Sequence, residues 1–393
     1  MSYNETNLLI NFIKKKFVIK PSTKSTNIFL KAVFEHFRKY DAILNKGKIE
    51  RTIKEVTKRM SAHGTIYFPQ EIKRYISLHK SRIISYKYIL HGRVIRLNFY
   101  TFNKLKSLHY YDESAHYTFL ILSLLMQFSE SVCNKSLTIT IFMTHFKREL
   151  PSKKGEMLGP MNVNGGFTQT CMQDGTITIF RKQEWFKVMI HEAMHSFGLD
   201  FSLQNQDKLN KKLKGIFPID SLYNLFETYT EMWAEILNVS VISYELNKMR
   251  SNEFDNFVNL FDYLMALERY YTFFQCAKIL NHLNLSYEDL LKSENNYKEG
   301  SNIFAYYICK CILYLNYNLF MDWCYVNNSH FFNFTHTSEN INSFYEFIRK
   351  HYKSKQLFDL LNEMNVELSK ISRLSGSQNR FIRENLRLTC VEI

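Results

Sequence analysis

The sequence is short of residues that break regular structure. Its 393 residues include only 5 prolines and 12 glycines. Six of those glycines (155, 159, 165, 166, 175 and 198) fall in one central stretch, and beyond Pro218 there is no proline and only Gly300 and Gly376. A mixed first half and an almost wholly helical second half follow. There is no internal repeat and no low-complexity linker. No CxxC occurs, and the cysteine count is odd, at seven, with irregular spacing. Free, mostly buried thiols in a reducing, intracellular setting (cytoplasm or virion) are expected. Long apolar runs are also missing. FLILSLLMQF (119–128) is too short to span a bilayer, and Lys310, Asn316, Asn318 and Asp322 interrupt residues 303–326, which read as a buried helix. No transmembrane segment is expected. The opening MSYNETNLLINFIKKKF puts an acid before a very short apolar run, which argues against a secretory signal.

Acidic residues are outnumbered, 37 against 51 Lys and Arg, for a net charge of +14. That suits an acidic polypeptide, an anionic surface or nucleic acid as partner. The excess is spread out, with only short clusters such as Lys14-Lys15-Lys16, so most of it reads as solvated surface. What the chain has in quantity is ordinary for a globular protein: 46% hydrophobic and 22% charged residues. The 33 Phe and 25 Tyr, with common Lys, Asn and Ile, suggest an AT-rich coding genome.

The first 60 residues read as helices, clearest from Ser22 to Lys39, and GTIYF (64–68) as a short strand. SYKYIL-HG-RVIRLNFYT (85–101) reads as a hairpin around His91-Gly92, residues 112–132 as an apolar helix opening on a carboxylate pair, and SLTITIFMT (136–144) as a β-branched strand. NVNGGFTQT, QDG and TITIF (176–180) make an irregular strand, a turn and a regular strand. QEWFKVMIHEAMHSF (183–197) is a helix that stops at Gly198.

That helix carries HEAMH. Residues four apart lie on one helix face, so His191 and His195 can offer two imidazole nitrogens to one ion. Glu192 sits beside them, off the ligand line, where it can deprotonate a zinc-bound water as that water attacks a carbonyl. The apolar flanks Val188, Met189, Ile190 and Phe197 bury the helix, a context that raises HExxH above a chance pentapeptide. One Zn2+ ion is the expected cofactor.

At this point the chain resembles the zincin metallopeptidases, whose catalytic lobe is a twisted sheet with a backing helix and an HExxH helix. The resemblance covers residues 85–240. It implies an exposed edge strand that pairs with substrate backbone, by position residues 162–168, with Asn164, Gly165 and Gly166 letting another backbone come close.

A catalytic zinc takes three protein ligands and keeps one open position. HEAMHSFGLD resembles the start of the metzincin motif, but Phe201 stands where that motif has its third ligand, and Asp200 comes one residue early. Further on, LFETYTEMWAEILN (225–238) puts Glu227, Glu231 and Glu235 on one face of an apolar helix, a costly stripe unless a cation meets it. This resembles the gluzincin branch, in which a downstream helix supplies a glutamate ligand and an acid four residues on holds a ligand histidine. Two registers fit: Glu227 as ligand with Glu231 behind it, or Glu231 with Glu235 behind it. E-T-Y-T-E-M-W-A lies nearer the family pattern and favours Glu227, although Phe226 stands where the thermolysin-like form has asparagine. A transition-state donor is expected from Tyr306 or Tyr307, in a stretch that loosely resembles the paired-tyrosine helix of helical gluzincins; His282 and His330 are weaker candidates.

The expected fold is α+β: an N-terminal helical segment (1–60), a zincin-like lobe (61–200) and a mainly helical C-terminal lobe (201–393) supplying the third ligand. The expected function is a zinc metalloendopeptidase acting on a polypeptide, with a large DNA virus or AT-rich intracellular microbe as the source. The alternatives are a basic virion or nucleic-acid-associated protein with a structural or vestigial zinc site, and a metal-dependent hydrolase of a small amide.

Overall fold

The structure, a computed structural model, describes residues 3–14, 17–56, 65–102 and 107–392. Lys15, Lys16 and Gly64 lie outside the described residues. The chain is a mixed α+β protein built on one six-stranded mixed sheet.

Two helices, α1 (Tyr3–Ile13) and α2 (Lys24–Lys46), precede the sheet. Strand β1 (Glu50–Val56) follows, where helix was expected. Its sequence ERTIKEV has no apolar face to bury and its residues are almost all exposed, so it carries little periodic signal. Thr65–Phe68, part of the expected strand 64–68, is a turn leading through Pro69 into α3 (Gln70–Leu78). The expected hairpin is present: β2 (Ser81–Leu90) and β3 (Arg93–Thr101) pair around His91 and Gly92, with φ of +50° and +74°. Helix α4 (Leu108–Met126) starts earlier than the acids at 112 and 113, because Ser107 caps it. Asp112 instead accepts hydrogen bonds from Arg51 on β1 and Tyr86 on β2.

β4 (Ser136–Phe142), the one-turn helix α5 (Pro160–Val163), β5 (Gly166–Thr168), β6 (Asp174–Ile179) and α6 (Trp185–Ser196) complete the first half. The sheet order is β1-β2-β3-β4-β6-β5, with β3, β4 and β6 parallel and the other pairings antiparallel. β5 is therefore an edge, but of the edge strand expected over 162–168 only Gly166–Thr168 is strand; Asn162 and Val163 lie in α5. Ile139, Ile141, Ile177 and Ile179 pack one sheet face against α4 and α6, while Phe142 and Phe180 meet α3 on the other.

The second half is helical: α7 (Asp207–Ile216), α8 (Leu225–Lys248), α9 (Phe254–His282), α10 (Lys310–Leu315), α11 (Tyr317–Asn327), α12 (Ser338–His351), α13 (Lys355–Ser372) and α14 (Ser377–Glu384). A 3-10 turn (Glu288–Leu291) and a π-helical turn (Phe304–Cys309) come between α9 and α10. The stretch 303–326 is thus not one helix: it breaks at Asn316, with residues 303–315 largely buried but Leu319, Tyr325 and Val326 of α11 exposed. One continuous apolar core runs from the sheet through α6 and α8 into α9 and α13. Among the described residues no helix is long and apolar enough to cross a membrane.

Two features depart from expectation. Cys133 and Cys171 are joined in a disulfide, although all seven cysteines were expected free; the other five are free and buried. Their separation of 38 residues hides the pairing, which is made by a local fold: Asn134 N–H donates to Met172 O and Cys171 N–H to Ser196 O. The second is an extended, buried segment after α14. Its backbone is held by side chains: Glu184 accepts from the amides of Leu388 and Thr389, Glu268 from those of Cys390 and Val391, and Lys310 donates to Leu388 O.

Candidate metal centre

α6 is buried along its whole length, so its polar residues need partners inside the protein. It ends at Gly198, whose φ of +66° suits glycine, and Leu199 N–H closes back on Met194 O. That turn sends Asp200 back under His195. The Nδ1–H of His195 donates to Asp200 Oδ2, which also accepts from Thr230 Oγ1 at 3.1 Å. Asp200 is therefore not a ligand candidate but the residue that fixes the ring of one. Sequence reasoning missed this role; the glycine three residues past the last histidine of the motif was the available signal.

α8 crosses α6 so that Glu227 and Glu231 face the two imidazoles. Glu231 Oε2 accepts from His191 Nδ1 at 3.1 Å. With both Nδ1 atoms so engaged, both Nε2 atoms point at Glu227 Oε2, at 3.1 Å from His191 and 3.3 Å from His195, and they lie 3.1 Å from each other. Ligands about 2 Å from a tetrahedral zinc stand roughly 3.3 Å apart. The spacing and the chemistry of this donor set fit such an ion: His191, His195 and Glu227 could hold a metal. Of the two expected registers, Glu227 is the one that reaches the imidazole pair. Its pKa is lowered: burial works against the charge, but the imidazoles of His195 and His191 outweigh burial. Asn302 Nδ2 donates to the other oxygen, Oε1, at 2.9 Å, and Asn224 in turn donates to Asn302.

The glutamate stripe on α8 meets more cations than a single ion. Lys187 of α6 and Lys310 of α10, both almost fully buried, converge on Glu231. Burial would raise the Glu231 pKa, yet Lys187 and Lys310 hold it well below the ordinary value, so it is an anion at His191. Glu235 was expected as a possible partner of a ligand histidine. It lies one turn too far along, pairs with Lys310 at 3.3 Å and touches neither imidazole.

Glu192 lines a cavity of about 280 Å³ together with His191, His195, Glu227 and Tyr306. Its pKa is raised, chiefly by burial, against the opposing pull of the two histidines. Gly166 of β5 packs on it: a Cβ there would stand 3.1 Å from Glu192 Cγ and 3.0 Å from Thr178 O. Asn164, Gly165 and Gly166 all line the cavity, and the two glycines allow β5 to lie close against α6. Asn164 Oδ1 accepts from Ser301 Oγ at 2.6 Å, which ties the edge segment to the loop that carries Asn302.

Of the two tyrosine candidates, only Tyr306 reaches the centre; its hydroxyl donates to Glu227 Oε2 at 3.1 Å. Tyr307 points the other way and donates to Leu386 O at 2.6 Å, which removes it as a transition-state donor. Both lie in the π-helical turn Phe304–Cys309, in which successive side chains project in different directions. His282 Nε2 donates to Glu156 O at 3.0 Å, and the His330 ring lies tilted against Phe128; neither lines the cavity. Comparison with protein-family models, curated proteins and solved structures returns no match for this chain.

Proposed function

We propose that this protein is a zinc-dependent metalloendopeptidase of the gluzincin type. The observation that carries the reading is the triangle of His191 Nε2, His195 Nε2 and Glu227 Oε2, closed to 3.1–3.3 Å, with Glu192 open to the cavity beside it. His191, His195 and Glu227 would hold the ion. When bound, zinc supplies Lewis acidity: it lets water lose a proton near neutral pH and draws electrons from a carbonyl. Glu192 takes the proton of the attacking water and passes it to the leaving amine, a task suited to a carboxylate whose burial raises its pKa. Tyr306 turns its hydroxyl from Glu227 toward the oxygen that gains charge. The β5 edge accepts the substrate as an added strand, which sets the peptide bond over Glu192.

The test is degradation of casein by the zinc-loaded wild type and by Glu192→Gln, with zinc content measured on both. The expected result is zinc retained in both and cleavage lowered by about 10²–10⁴-fold in the variant. Cleavage undiminished in Glu192→Gln overturns the mechanism, and no cleavage by the zinc-loaded wild type overturns the assignment.

A further inference from the structure

The cavity is lined in part by Arg148, a buried arginine whose guanidinium is not fully used within the protein. Arg148, in the loop after β4, is 2% exposed and lines the cavity. Its Nε donates to Val163 O at 2.6 Å and its Nη1 is paired with Glu184. Among the described residues its Nη2 finds no acceptor. Arg181, fully buried behind the same segment, donates from Nε, Nη1 and Nη2 to the carbonyls of Asn164, Lys147 and Met161 and has no carboxylate within salt-bridge distance among the described residues. Glu184 thus acts on both Arg148 and Arg181, with Glu231 adding to its pull on Arg148 and Glu149 to that on Arg181. The neighbouring Arg387 is paired with Glu392 at 2.9 Å, and Lys187 with Glu231. A buried guanidinium donor without an acceptor is costly, and a carboxylate from outside would accept from it.

The position of the free nitrogen relative to β5 is defined by two consecutive glycines. A Cβ on Gly165 would stand 2.6 Å from Arg148 Nη2, and one on Gly166 would stand 3.1 Å from Glu192 Cγ. The Arg148 nitrogen and the Glu192 side chain therefore lie against adjacent residues of the edge, about 3.8 Å apart along the backbone. A peptide lying on β5 with a bond at Glu192 brings the side chain of a neighbouring residue to Nη2.

We infer that Arg148 forms a carboxylate-recognising subsite, so that substrates with Asp or Glu beside the scissile bond are preferred. This rests on the peptidase reading of the same cavity, and it gives the net charge of +14 a use, since a basic protein attracts acidic polypeptides over long range. Arg148 acts here as a specificity residue and takes no part in bond breaking.

The experiment is calorimetric titration with capped peptides that differ only in Glu against Gln at one position, alongside their cleavage rates. A third peptide carries Gln there and ends in a free carboxylate, which separates a side-chain preference from a chain-end one. The Glu peptide is expected to bind wild type at least tenfold more tightly than the Gln peptide. In Arg148→Gln the two should bind alike, and Arg148→Lys should keep part of the difference. Because Arg148→Gln strands Glu184 and can unfold the chain, the salt dependence of the Glu/Gln ratio in wild type gives a second reading: it should shrink as salt rises. Equal binding of both peptides by wild type, no binding of either, or tighter binding of the free-carboxylate peptide alone overturns the inference. A Glu preference without cleavage of any peptide would leave the subsite standing and sink the peptidase reading. Cleavage of both peptides at equal rates and affinities would do the reverse.

Discussion

Nδ1 of His191 lies 3.1 Å from Glu231 Oε2, while Nε2 of the same ring lies 3.1 Å from Glu227 Oε2. One imidazole is thus gripped on both nitrogens by acids one helical turn apart, and the two acids have separate work. Glu227→Ala is expected to abolish stoichiometric zinc binding. Glu231→Gln should still bind zinc, about 10–100-fold more weakly, because the ring is less firmly oriented. It should also lose about 3–5 kcal/mol of stability, since Lys187 and Lys310 are left in the interior short of an anion. Zinc by mass spectrometry, chelator competition and urea unfolding measure these; full zinc affinity in Glu227→Ala would refute the ligand assignment.

The two adjacent tyrosines give opposite expectations. Tyr306→Phe should lower kcat by about 10²–10³ with little change in KM, the pattern of a lost transition-state donor. Tyr307→Phe should leave kcat alone and cost about 1 kcal/mol of stability, from the hydrogen bond to Leu386 O. Steady-state kinetics and thermal unfolding on the pair decide it, and a kcat loss in Tyr307→Phe instead would reverse the assignment.

Zinc affinity should rise with pH. Burial opposes charge on both histidines, but Glu227 and Glu231 outweigh it at His191, and Asp200 and Glu227 outweigh it at His195, so both pKa values lie above the ordinary 6.5. A ring must give up its Nε2 proton to bind metal. Protons therefore compete most strongly below the raised values, and affinity climbs as pH rises through and beyond 6.5. Chelator-buffered titrations across this range test the sign; a flat profile would contradict it.

The Cys133–Cys171 disulfide closes a loop of 38 residues at the C-terminal end of α6, where Asn134 Nδ2 also donates to Ser196 O at 2.9 Å. On the chain-entropy account such a link contributes about 4 kcal/mol. The double variant Cys133→Ser/Cys171→Ser is expected to lose that much in urea unfolding, and reductant should lower the Tm of wild type but not of the variant. Equal sensitivity of both proteins to reductant would argue that the bond does not form.

The elements that could be read from the sequence were those whose faces are unequal. The β2–β3 hairpin has alternating apolar residues and a His-Gly turn that needs positive φ, and α6 has its apolar flanks and its stop at Gly198. β1 was missed because ERTIKEV buries nothing, and the turn at 65–68 was misread because Tyr67 and Phe68 look like strand residues before Pro69 intervenes. The parts of the site that stayed hidden are residues without a motif of their own. Asn302, Asp200, Arg148 and Lys310 gain roles only from what they touch.

By itself the sequence determined which groups share a helix face: His191 with His195, and Glu227 with Glu231 and Glu235, because 3.6 residues per turn fixes angles within a helix. The crossing of α8 over α6 determined the rest. It put Glu227 at the imidazole nitrogens and Glu231 behind them, and it left Glu235 to Lys310. Distances between helices depend on packing across the whole core, and no local spacing encodes them.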